Sequence, residues 1–180
     1  MKFKLIFILC LLVLMSCEVA SVDTDNPNYF FDGRGGIKCK VNGKLILPKV
    51  SFGGTGLAAE VQFLPPNFGE LLSISFLSGG ESPDFISESI RINIIDVVPE
   101  SVQVGDIFIL GNSENSNFGK YSYGGIDYNY STNEQNIGKV EILYHDLENK
   151  ILGGTFEFDA IDENGTIVEI REGEFDMNYP

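Results

Sequence analysis

The chain has 180 residues, 43% hydrophobic and 12% aromatic, enough apolar mass for one folded domain and too much for a disordered one. Acids outnumber bases 26 to 12, which argues against a nucleic-acid partner, because phosphate contacts need clustered Lys and Arg. One His and three Cys leave little for a zinc site or a His-based catalytic apparatus.

Met1-Lys2-Phe3-Lys4 precede an unbroken apolar run from Leu5 to Met15, the n-region and h-region pattern of a secretory signal. A spanning helix needs roughly 20 apolar residues, so this run is too short for a stable anchor by itself. Leu14-Met15-Ser16-Cys17 resembles the bacterial lipobox. That resemblance implies a signal peptide over residues 1–16, cleavage before Cys17, and acyl chains on the Cys17 thiol and the new amine. The expected partner is therefore a membrane, reached through lipid at Cys17, and the expected location is the outer membrane, facing the periplasm or the surface. Residues 17–35 carry Glu18, Asp23, Asp25 and Asp32 without periodicity, which reads as a flexible acidic tether. With Cys10 removed and Cys17 acylated, Cys39 is left alone, on one face with Ile37 and Val41, as expected of a buried core thiol.

Residues 36–180 read as a single β domain. Leu57, Ala59, Val61 and Phe63 alternate with other residues, and so do Leu72, Ile74 and Phe76. The same period recurs at Ile90, Ile92 and Ile94, at Val140, Ile142 and Tyr144, and at Phe156, Phe158 and Ala160. Val168 with Ile170, and Phe175 with Met177, end the series, with a break expected at Gly173. Asn42-Gly43 predicts a type I′ hairpin, and Asn164-Gly165 a slightly longer one. Gly79–Ser87 and Gly111–Gly119 read as loops. The expected fold is all-β: an antiparallel meander of about nine or ten strands closing as a barrel or a two-layer sandwich.

GIKCKVNGK, GKVEI, GGTFEFDA, the NG turn and EGEFDMNY resemble a family of small, uncharacterised lipoproteins of Bacteroidota-type bacteria, a domain of unknown function. The likeness spans most of residues 36–179. Its motifs are strands and turns, so it implies no active-site residue.

His145, at a strand end, reads as exposed or turn-capping, since no G-x-S-x-G elbow accompanies it. Asp159, Asp162, Glu163 and Asn164 have the oxygen ligands calcium needs but not the spacing of a calcium loop, so an acidic turn is expected. Gly53-Gly54-Thr55-Gly56 lacks the Lys-Ser/Thr of a phosphate loop, and no cofactor or metal is expected. The most suggestive stretch is Tyr121 to Tyr130. A two-residue turn at Gly124-Gly125 would set Tyr121 opposite Tyr128 and Tyr123 opposite Ile126, with Tyr130 on the same side. Tyr121, Tyr123, Tyr128 and Tyr130 then form either a ligand face or a core-facing hairpin with hydroxyls at its rim. The functional expectation is a lipid-anchored envelope protein with a non-enzymatic binding module for a glycan, an amphiphile or an envelope protein. The alternative is a carboxylate-dependent hydrolase acting on polysaccharide.

Overall fold

The computed structural model describes residues 22–26, 28–49, 58–65, 69–79, 87–111, 116–124 and 129–180. Residues 1–16, Cys17, Leu57, the Gly53–Gly56 stretch and Tyr128 lie outside them.

The described chain is all-β. Its strands are β1 (Gly36–Val41), β2 (Lys44–Ile46), β3 (Ala59–Leu64), β4 (Leu71–Ser78), β5 (Glu88–Ile95) and β6 (Ile107–Leu110). They continue with β7 (Phe118–Tyr123), β8 (Tyr130–Ser131), β9 (Gly138–Asp146), β10 (Ile151–Ile161) and β11 (Ile167–Asn178). The order β2-β1-β11-β10-β8-β7-β5-β4-β3 forms one antiparallel sheet that curls into a half-barrel, with β9 and then β6 branching from β10. Past β2 the chain crosses toward the far side, where Lys49 makes an isolated parallel bridge with Ser78. β9, β10 and β11 form the expected C-terminal meander. Asn42 and Gly43 both have positive φ, 47° and 79°, as the type I′ turn requires.

The alternating apolar residues meet inside the curl. Ile37, Cys39, Leu72, Ile74, Ile90, Ile92, Ile94, Val140, Ile142, Phe156, Phe158, Val168, Ile170 and Phe175 are all buried in one cluster. At the branch, β10 pairs with β9 as far as Phe158↔Gly138 and then with β8 at Ile161↔Ser131. Two glycines make room there. A Cβ on Gly119 would stand 2.9 Å from the Phe158 ring, and one on Gly138 2.6 Å from Phe158 Cα. The ring edge can shift and the backbone cannot. Gly138→Ala is therefore expected to cost about 3 kcal/mol and Gly119→Ala about 1, read as urea midpoints at constant slope.

Two bulges rearrange faces that strict alternation would fix. Between β9 and β10 the register passes from Gly153↔Tyr144 to Gly154↔Ile142, so Leu143 is extra. One inserted residue turns everything beyond it to the opposite side. Tyr144 therefore leaves the face of Val140 and Ile142, correcting the sequence reading, while His145 turns inward. In β11 the pairing with β10 passes from Phe156↔Gly173 to Phe158↔Ile170, and Glu172 takes φ 50°. The break expected at Gly173 is thus a bulge within one long strand.

The tether reading is also corrected over its described part. From Val22 onward the segment is a strap laid on the outer face of β11 and β9. Val22 is 1% exposed and donates its N–H to Gly35 O at 2.9 Å. Phe31 stacks on Tyr144 with ring centroids 5.2 Å apart, over Gly153, where a Cβ would strike the Phe31 ring. Tyr29 Oη donates to Asp176 Oδ2 at 2.7 Å, and Thr24 N to Glu174 Oε2 at 2.7 Å. Burial, and next the Asp176 carboxylate, raise the Tyr29 phenol well above its ordinary pKa.

Candidate functional site

Tyr121 and Tyr123 belong to β7, and their register with β5 (Ile90↔Tyr121, Glu88↔Tyr123) puts them on the core face of the sheet. β8 pairs Tyr130 directly with Tyr121. This corrects the expected Tyr121–Tyr128 pairing: the register lies two residues further along the chain. A shift of two keeps the side-chain parity, so Tyr130 still shares the face of Tyr121. Their rings lie 5.6 Å apart, tilted by 54°.

These three tyrosines open on a groove of about 460 Å³ at the mouth of the half-barrel, between the β1–β2 and β10–β11 hairpins. Lys44 lines it from the first hairpin and Thr166 and Ile167 from the second, with Glu88 at the start of β5. Tyr121 is buried and donates its hydroxyl to Glu88 Oε1 at 2.9 Å. Burial first, and then the Glu88 carboxylate, raise the Tyr121 phenol far above its ordinary pKa, so it stays a donor at neutral pH. Glu88 is only 6% exposed, and its other oxygen, Oε2, lies 3.7 Å from Lys44 Nζ. Tyr123, 53% exposed, stands at the lip. Tyr121 is thus part of the core, while Tyr123 stands open to solvent.

Glu88 and Lys44 escaped the sequence reading. The signal was present for Glu88, which precedes Ile90 by two and so continues the core parity of Ile90, Ile92 and Ile94. An acid on a core-facing position is unusual enough to mark a site. Lys44 enters only through hairpin geometry, which no local pattern carries. A glycoside hydrolase of the usual kind needs two carboxylates across one sugar site. Among the described residues lining this groove the carboxylate is Glu88.

His145 is neither exposed nor a turn cap. It is half-buried, with Nδ1 3.0 Å from Val102 O and Nε2 3.0 Å from Tyr179 Oη. A carbonyl only accepts, so Nδ1 donates to Val102 O, and the ring and the Tyr179 hydroxyl share the second bond. Asp162 serves its turn, accepting from Thr166 N at 2.7 Å and Asn164 N at 2.9 Å, bonds that hold its carboxyl below the usual pKa. Cys39 is fully buried, and burial, with Glu88 adding, pushes its thiol up to about 12. Unreactive toward an aromatic disulfide reagent in the native state at pH 8, it is expected to react fully once urea unfolds the chain. A second groove, of about 280 Å³, runs past Ile109, Ile137 and Arg171 on the outer side of β9–β11.

The model of a domain of unknown function, DUF6252, matches residues 87–177. The chain belongs to the DUF6252 family. No curated protein and no solved structure matches it. The resemblance to an uncharacterised family thus holds at that level, over a shorter stretch than 36–179. The DUF6252 match takes in Glu88, Tyr121, Tyr123, Tyr130 and the β10–β11 hairpin, while the hairpin bringing Lys44 precedes it.

Proposed function

We propose that this DUF6252 protein is a lipid-anchored envelope protein whose β domain is a binding module, with the tyrosine–Glu88 groove as its ligand site. The observation that carries the binding reading is the convergence of an exposed aromatic wall and a buried carboxylate in one concave mouth. Ligand sites favour such places: mostly apolar walls with a few placed polar groups. The anchor reading is supported by Leu14-Met15-Ser16-Cys17 at the foot of the apolar run. Two or three acyl chains would make attachment lasting where one holds weakly. With the chain fastened to the domain at Val22, the stretch from Cys17 reaches at most about 17 Å. The domain would then ride close to the head groups.

Cys17→Ser is expected to abolish labelling by a radioactive fatty acid and leave an uncleaved precursor; normal labelling would end the anchor reading. For the groove, a panel of glycans, amphiphiles and small charged molecules is screened by thermal shift. Tyr123→Ser, at an exposed position, is expected to change stability by no more than about 0.5 kcal/mol while erasing the shift of any groove ligand. Compounds that shift the variant as strongly as the parent would place binding elsewhere.

A further inference from the structure

We propose that the groove takes an organic ammonium ion, its charge set against Glu88 and its methyl or methylene groups against Tyr121, Tyr123 and Tyr130. The assignment rests on reading this groove as the binding site and names the ligand class. A carboxylate withdrawn from water is costly unless a cation and hydrogen bonds compensate it. Among the described residues, Glu88 has one good side-chain bond, accepted from Tyr121 at Oε1 at 2.9 Å. At 3.7 Å, Lys44 Nζ is beyond hydrogen-bond distance of Oε2, and its side chain is 71% exposed. A pair so open to water contributes little. Oε2 therefore faces the groove from a side chain only 8% exposed, with Lys44 as a distant counter-charge, beneath an aromatic lip.

The tilted Tyr121 and Tyr130 rings form a wedge, and Tyr123 stands across from Glu88 in the strand register. Aromatic faces carry negative quadrupole potential and attract ammonium groups within about 6 Å of a ring centroid. A neutral sugar would use the rings but leave the carboxylate without its counter-charge, and an anion would be repelled. The formal charge of −14 also draws cations toward the molecule. Lys44 is then an internal competitor on a hairpin, displaced from Oε2 when the ligand enters.

The test titrates the full-length protein, in a neutral maltoside detergent, with choline and tetramethylammonium against sodium chloride at equal ionic strength. The chain has no Trp, so the seven tyrosines supply the fluorescence readout. Saturable quenching is expected for both cations, and binding at least about tenfold weaker for 3,3-dimethylbutanol, which keeps the shape of choline without the charge. Glu88→Gln keeps an acceptor for Tyr121 and is expected to weaken choline about tenfold or more, while Lys44→Met tightens it a few-fold. Equal affinity for the neutral isostere, or choline binding indifferent to both variants, overturns the ammonium assignment. If no cation binds but a neutral compound does, and Tyr123→Ser abolishes it, only the ligand class has failed. If nothing in the panel binds, the binding-module reading fails with it.

Discussion

Replacing Asp176 by Ala is expected to lower the melting temperature by about 6–12 °C, the equivalent of about 3 kcal/mol in a domain of this size. Asp176 is 0% exposed and holds the strap at three points: Tyr29 Oη at 2.7 Å, Gly33 N at 2.8 Å and Asp32 N at 3.2 Å. Bonds to a charged acceptor are the stronger kind, and truncation would leave two backbone N–H groups and a phenol without their acceptor in a partly buried place. Val22, Phe31 and the stack on Tyr144 would then loosen together, because each depends on the strap staying down. Asp176→Asn keeps the shape but trades one acceptor for a donor that faces donors, so it is expected to cost nearly as much. Tyr29→Phe removes one bond and should cost about 1 kcal/mol. Trypsin would report the same event independently: cleavage after Arg34 should accelerate in Asp176→Ala and stay slow in Tyr29→Phe. If Asp176→Ala melts with the parent, the strap contributes nothing to the fold and the segment is a tether after all.

The strap shows where sequence reasoning reached its limit. Alternation assigned Glu174 and Asp176 to the face away from Phe175 and Met177, and that parity is right. What alternation cannot say is whether the second face is covered, because the cover here comes from residues 22–35, more than 140 positions away in the chain. The two bulges set a second limit. Period two fixes the faces of Val140 and Ile142, yet one extra residue at Leu143 sends Tyr144 out to Phe31 and His145 in to Tyr179. Nothing local to Leu143 announces this; the neighbouring Gly153-Gly154, able to accept a ring or a backbone at close range, is the only hint. By contrast the hairpin at Asn42-Gly43, the C-terminal meander and the buried Cys39 were legible, because turn chemistry and short-range parity decide them. The groove was half legible. Its tyrosines lie on one strand pair, whereas Glu88 and Lys44 arrive from two others.

Stability is expected to hold to about pH 9 and then fall steeply, by about 3 kcal/mol at pH 11 from the Cys39 thiol alone. The sign follows from the direction of the shift. The thiol ionises near 9.0 when free and is pushed up to about 12 by burial and by Glu88, so between those values only the unfolded chain gives up the proton. A group raised in this way stabilises fully below its unfolded pKa, and the stabilisation is lost as pH climbs toward the folded one. Tyr121, Tyr29 and Tyr179, all raised chiefly by burial, join from about pH 10, so the decline steepens there. Growing negative charge on an already acidic surface acts in the same direction and must be separated from the thiol. Cys39→Ala does this. The variant loses about 1–2 kcal/mol at pH 7, for the missing sulfur in a packed core, but its further loss between pH 9 and 11 should be smaller than that of the parent by about 2–3 kcal/mol. Urea midpoints of both proteins across pH 7–11 give the comparison directly. Parallel curves would mean that the thiol ionises in the native state as easily as in the unfolded one, and would overturn its part in the alkaline decline.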